Sequence, residues 1–229
     1  MIKKHNTLSN TDLNSPFRGL GGKLAVKICG MKHPENIQLI AALHPDLIGF
    51  IFYPKSPRYA EPLDMETLQS LPARIKKIGV FVNEDLERIL TLVFKYKLDG
   101  VQLHGTENAE MCRKLKDAGL TVIKAFSIAE AYNFKVTKSY EGVCNYFLFD
   151  TKTEAYGGSG VKFNWSILDE YTGETPFLLS GGIAADDAEA ILKIEHPQFA
   201  GIDLNSKFET SPGWKNEELL NVFLKQLRD

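Results

Sequence analysis

The run Phe147-Leu148-Phe149-Asp150 carries apolar residues straight into a carboxylate, and the glycine-rich stretch Gly157-Gly158-Ser159-Gly160 follows it closely. A carboxyl group held at the exit of a buried strand can transfer protons, and glycines beyond it let backbone N–H groups approach an anion. A turn cap followed by a surface loop has the same composition, so the stretch is informative only in company. That company begins at Lys27-Ile28-Cys29-Gly30, where a thiol ends another apolar run. A neighbouring cation or helix dipole would favour its thiolate, a base or nucleophile, whereas an isolated cysteine packs as a small apolar residue. Cys112 and Cys144 fall in a helical pattern and before a strand, and both read as structural.

Further polar groups stand where other apolar runs end. In Pro54-Lys55-Ser56-Pro57-Arg58 two prolines stiffen a loop, and a stiff loop presenting Arg58 can grip a planar carboxylate through two parallel hydrogen bonds. An ordinary solvated arginine is the alternative. In Val101-Gln102-Leu103-His104 the strand period puts Gln102 and His104 on one face. If that face is interior, both need partners, and a satisfied buried histidine is as consistent as a catalytic one. Ser180-Gly181-Gly182 and Asp203-Leu204-Asn205-Ser206 close two more runs with small residues. Gly158, Ser159, Gly160, Gly181, Gly182, Asn205 and Ser206 together outline one anion site built from backbone donors, with Asp203 a supporting polar group beside Gln102 and His104.

These residues must be held by a regular scaffold. Strand patterns fall at 24–29, 46–52, 76–82, 100–104, 121–126, 146–150, 176–180 and 201–204. Helical patterns alternate with them at 34–43, 63–71, 85–96, 109–118, 129–138, 165–171, 187–194 and 216–227, with Asn83 and Thr106 as N-cap-like residues ahead of two of them. Eight strand–helix pairs predict an α/β fold, a compact single-domain (β/α)₈ TIM barrel, in which chemistry sits at the C-terminal ends of the strands. An open doubly wound sheet has the same periodicity. A chain of 229 residues with 44% hydrophobic composition suits one catalytic barrel domain at 23–229. The polar residues 1–22 read as a flexible extension, although Leu13, Phe17 and Leu20 could form a stripe packed on the barrel.

A net charge of -2 provides no basic field, which argues against nucleic acid or an anionic membrane surface as partner. Three cysteines without a CxxC pair argue against a disulfide framework or a zinc site and favour the reducing cytoplasm. No apolar run reaches the ~18 residues of a membrane span, and no signal-peptide core opens the chain.

Taken in order, Lys27-Ile-Cys-Gly30, Gly49-Phe-Ile-Phe-Tyr-Pro-Lys-Ser-Pro-Arg-Tyr59, Gly79-Val-Phe-Val-Asn-Glu84, Val101-Gln-Leu-His-Gly105, Phe149-Asp-Thr151 with Gly157-Gly-Ser-Gly160 and Phe163-Asn-Trp165, and Leu179-Ser-Gly-Gly-Ile183 resemble phosphoribosylanthranilate isomerase over about residues 24–227. The resemblance implies an Amadori rearrangement without metal or organic cofactor, the third step of tryptophan synthesis from chorismate, in a monomer or homodimer whose ligand is the small molecule phosphoribosyl anthranilate. It also implies roles: Cys29 as general base, Asp150 as general acid and Arg58 on the anthranilate carboxylate. Such a base calls for a thiol pKa below the free value of ~8.5. Another sugar-phosphate barrel enzyme, or an inactive barrel that only binds phosphate ligands, are the competing readings. One stretch departs from the pattern. Where the family has Asp-Val-Ser-Ser-Gly-Val-Glu, this chain has Asp203-Leu-Asn205-Ser206-Lys207-Phe-Glu209, and a lysine replacing a glycine of positive φ would strain the loop.

Overall fold

The computed structural model describes residues 24–129, 132–151 and 164–228. The extension expected at 1–22 and the stretch Gly157–Gly160 lie outside the described residues. Eight parallel strands close into a barrel: β1 (Ala25–Ile28), β2 (Leu47–Ile51), β3 (Lys76–Phe81), β4 (Gly100–Leu103), β5 (Thr121–Ile128), β6 (Tyr146–Thr151), β7 (Phe177–Leu179) and β8 (Phe199–Leu204). Closure rests on β1 pairing with β8, Ala25 opposite Gly201 and Lys27 opposite Asp203, which rules out the open doubly wound sheet.

Strand alternation divides the apolar residues between two cores. Ala25, Leu47, Ile78, Ile123, Ala125, Tyr146, Leu148 and Leu178 fill the barrel interior, and their neighbours Val26, Ile28, Phe147, Phe149 and Leu179 face the helices. The same alternation continues past the filled layers. On β1 the inward series runs Ala25, Lys27, Cys29, and on β6 it runs Tyr146, Leu148, Asp150, so chemistry-bearing residues occupy the last inward positions.

Among the described residues six α-helices surround the barrel: α1 (Pro34–Ala41), α2 (Met65–Ser70), α3 (Leu86–Tyr96), α4 (Ala109–Asp117), α5 (Ala188–Leu192) and α6 (Glu217–Arg228). Asp64 and Asn108 cap α2 and α4 by accepting the Thr67 and Met111 N–H groups. Neither Asn83 nor Thr106 is a cap. Asp85 opens α3, and Asn83 instead has φ 52° and accepts from the Thr106 N–H and hydroxyl.

The helical patterns at 129–138 and 165–171 form 3₁₀ turns, Phe134–Tyr140 and Trp165–Glu170, each opened by an asparagine side chain. Val136 and Thr137 are β-branched and disfavour a regular helix, and the tighter turn keeps Phe134 buried. A further 3₁₀ turn at Ser206–Phe208 leads into a small antiparallel pair, β9 (Glu209–Ser211) with β10 (Trp214–Lys215), which the periodicity did not reveal. Among the described residues no helix is long and apolar enough to cross a membrane.

Candidate active site

A cavity opens at the C-terminal mouth of the barrel. Its lining includes Cys29, Gln102, His104, Asp150, Asp203 and Lys207, and Gly181, Gly182, Asn205 and Ser206 also face it. Residues from seven of the eight strand ends, all but β5, thus meet at one place, as the fold's location rule requires. Val80 and Val82 supply apolar wall beside them. Of the anion-binding set, Gly158, Ser159 and Gly160 lie outside the described residues.

On the β4–β6 side three polar groups form a chain. Gln102 Nε2 lies 2.8 Å from His104 Nδ1, and His104 Nε2 lies 3.2 Å from Asp150 Oδ2. With Gln102 donating, Nδ1 accepts and the imidazole proton sits on Nε2, aimed at the carboxylate. Asp150 Oδ1 accepts the N–H of Thr151 at 2.9 Å. His104 thus finds its partners in Gln102 and Asp150, while Gln102 Oε1 stays buried without a hydrogen bond. Gly181 stands against this carboxylate at φ 87°, and a Cβ there would come within 2.8 Å of Asp150 Oδ1.

On the β1–β8 side lies a buried trio. Lys27 Nζ donates to Asp203 Oδ1 at 2.9 Å, and Ser180 Oγ lies 3.5 Å from Asp203 Oδ2. Cys29 is 3% exposed, its sulfur facing Lys27. Burial pushes the thiol above its ordinary pKa, with Lys27 pulling the other way and Asp203 adding to the rise. The lowered thiol pKa expected of a base is thus absent from the ligand-free site, because desolvation outweighs the lysine. Burial likewise raises the Asp203 carboxyl against the pull of Lys27. For Lys27 itself burial pulls the pKa down most strongly, but Asp203 and Cys29 acting together raise it, so it stays an ammonium.

Arg58 does not line the cavity. Its Nε lies 2.9 and 3.0 Å from the two oxygens of Glu209, and its Nη2 lies 2.6 Å from Oε2. Glu209 also accepts from Lys215 Nζ, and that same ammonium donates to Asn205 Oδ1 at 2.8 Å. Burial would raise the Glu209 carboxyl, but Arg58 and Lys215 hold it below the usual range. Burial lowers the Lys215 pKa against Glu209. Gly30 at φ 78° admits this cluster, since a Cβ would lie 2.7 Å from Arg58 Cδ and 2.8 Å from Asn205 Oδ1. The cluster is anchored below, where Lys215 exchanges two main-chain hydrogen bonds with the Asn36 side chain of α1.

Lys207 lines the cavity rim and is exposed. Outside glycine the described residues with positive φ are His44, Asn83 and Lys97, so the Ser206–Phe208 turn accepts lysine without left-handed strain. Lys27, Glu209 and Lys215 escaped the sequence reading. The available signal was a charged residue two positions before Cys29 in an otherwise apolar strand. Among the described residues no group of three or more His, Cys, Asp or Glu could hold a metal ion.

Comparison with known proteins adds four findings. The family described as N-(5'phosphoribosyl)anthranilate (PRA) isomerase matches residues 26–226. The N-(5'-phosphoribosyl)anthranilate isomerase of Parabacteroides distasonis is 50% identical over 206 residues, 89% of this chain and 93% of the relative. The crystal structure of phosphoribosyl anthranilate isomerase from Thermotoga maritima superposes with a TM-score of 0.78 at 34% identity, covering 90% of this chain and 98% of that one. A second structure of such an isomerase, in complex with reduced 1-(o-carboxyphenylamino)-1-deoxyribulose 5-phosphate, gives 0.73 at 30% identity with the same coverage.

Proposed function

The chain belongs to the N-(5'-phosphoribosyl)anthranilate isomerase family of tryptophan biosynthesis, and we propose that Cys29 is its general base, Asp150 its general acid and Arg58 the group that orients the anthranilate carboxylate. The reaction is the Amadori rearrangement of N-(5'-phosphoribosyl)anthranilate to 1-(2-carboxyphenylamino)-1-deoxyribulose 5-phosphate. Opening the furanose needs a proton on the ring oxygen, and Asp150 delivers it. The product of that step is a Schiff base whose C2 proton is acidified. The Cys29 thiolate removes this proton, and the resulting enolamine tautomerises to the ketone.

The observation that carries the reading is that Cys29 and Asp150, on opposite sides of the barrel, line a single cavity together with the small residues that end β7 and β8. His104 holds Asp150 from one side while the Thr151 N–H holds it from the other, so the acid has a fixed direction. Gly181, Gly182, Asn205 and Ser206 take the phosphate through backbone N–H groups, as the loops after the seventh and eighth strands of such barrels commonly do. Phosphate and carboxylate bind apart from the reacting carbons and fix them by position. Arg58 meets its carboxylate already immobilised by Glu209. That pairing leaves less rotamer freedom to be lost on binding.

The test is addition of purified protein to freshly generated phosphoribosylanthranilate, followed by fluorescence. Enzyme-dependent loss of the substrate signal is expected. A decay no faster than the spontaneous one would overturn the reading.

A further inference from the structure

Lys27 has no role in the scheme above, yet it is a wholly buried ammonium one inward position below Cys29. Asp203, its partner at 2.9 Å, stands directly opposite in the β1–β8 register. The thiol and the ammonium share the space above Gly49. A Cβ built on that glycine would lie 2.9 Å from Cys29 Sγ and 3.1 Å from Lys27 Nζ, so any side chain there would drive one of them away. Both groups thus stand against one glycine, close enough for the ammonium charge to act on the sulfur. An ammonium has three N–H donors, and the bond to Asp203 uses one.

A thiolate formed in such a buried place is costly without an opposite charge beside it. The charged groups facing Cys29 are Lys27 on its own strand, Asp203 on β8 and Lys215 on β10. Asp203 opposes ionisation of the thiol, while the two lysines favour it, Lys27 most strongly. Given the reading of Cys29 as the base, we infer that Lys27 is a positioning residue for the reaction: its ammonium, steered by Asp203, is the counter-ion against which the Cys29 thiolate forms. The carboxylate and the lysine then act on the thiol in opposite directions. That opposition separates electrostatic control from mere support of the fold.

The thiol can be read without turnover. Iodoacetamide alkylation of Cys29 in the ligand-free full chain, followed by peptide mass spectrometry against pH, gives its titration. Lys27→Met is expected to move the midpoint upward by roughly one pH unit or more, and Asp203→Asn to move it downward. The acid limb of the kcat/KM profile should move with each. Removing one partner of a buried pair can unfold a protein, so the neutral double variant Lys27→Met/Asp203→Asn is measured beside the single ones. Lys27 acts on the thiol more strongly than Asp203. The double variant should therefore still titrate above the unmodified protein, with kcat/KM at least roughly tenfold down. A double variant that titrates and turns over like the unmodified protein would overturn the inference, as would single variants that shift in the same direction. The reading beneath it fails separately: turnover retained by Cys29→Ala would remove the base while leaving the alkylation shifts intact.

Discussion

Two lysines are buried in the barrel wall against carboxylates, Lys27 with Asp203 between β1 and β8 and Lys124 with Glu107 beside β4 and β5. Their surroundings differ. Lys124 Nζ faces four fixed acceptors: the carbonyls of Leu103, Gly105 and Ala125 at 3.1, 2.8 and 3.1 Å, and Glu107 at 3.3 Å. Glu107 in turn accepts the N–H groups of Asn83 and Gly105, so the pair ties the loops after β3 and β4 together. Neither residue lines the cavity. Lys27 instead points inward, donates to a carboxylate that lines the cavity, and faces a thiol. Each charge costs several kcal/mol to bury. Where main-chain carbonyls use up the donors, that cost secures a loop. Where one donor still faces a reactive group, it is available to the chemistry.

The largest break in this contrast comes from the reacting groups. Cys29→Ser and Asp150→Asn should each leave a folded barrel and lower kcat/KM by about 10² to 10⁴-fold, the usual contribution of a proton-transfer group. A loss below tenfold at either site would remove that residue from proton transfer. Lys124→Met should do the opposite. It leaves Glu107 buried without its cation and should cost about 3–5 kcal/mol in urea unfolding, while kcat/KM of the folded fraction stays within roughly threefold. A variant of Lys124 with intact stability and abolished turnover would erase the distinction between the two lysines.

Why one region could be read in the sequence and the other could not follows from what each signal requires. Asp150 and Cys29 announce themselves locally, each at the end of an apolar run with glycine near, and the alternation that turns them inward is the same period that identifies the strands. Gly181, Gly182, Asn205 and Ser206 are legible for the same reason. Lys27 is not, because its meaning depends on Asp203, 176 positions away in the chain and adjacent only once the barrel closes. Glu209 and Lys215 sit on a two-stranded ribbon too short to leave a periodic trace, and their partner Arg58 comes from the loop after β2. The two 3₁₀ turns kept the position of the predicted helices but not their geometry, since an apolar pattern locates a buried segment better than it specifies how the backbone winds.

Arg58 sharpens the contrast further, being a charge that is paired internally and still placed near the mouth through Gly30 and Asn205. Arg58→Ala should weaken binding of the carboxylate-bearing substrate and product by roughly 1.5–3 kcal/mol, the range for a hydrogen bond to a charged group. A plain pentose phosphate should lose far less. Inhibition constants for the two ligand types decide it: equal losses would mean that Arg58 serves the Glu209–Lys215 cluster alone.

The smallest effect belongs to Lys207, an exposed lysine that lines the cavity. It replaces a glycine of the family pattern, and because it occupies the 3₁₀ turn without positive φ, no backbone strain has to be relieved by restoring glycine. What the lysine adds is charge at the rim, close to Asn205 and Ser206. An exposed charge near a phosphate is worth about 1 kcal/mol at most, and the attraction falls within a Debye length of roughly 10 Å at 0.1 M salt. Lys207→Gly should therefore raise KM by a few-fold at low ionic strength, with kcat unchanged and the difference fading as salt rises. Glycine also loosens the unfolded chain and can lower stability by about 0.5–1 kcal/mol. That penalty does not depend on salt and does not enter KM. Measuring KM for both forms at two ionic strengths separates the two effects. A collapse of activity that ignores salt would show that the turn's conformation, and not the charge it carries, is what the lysine provides.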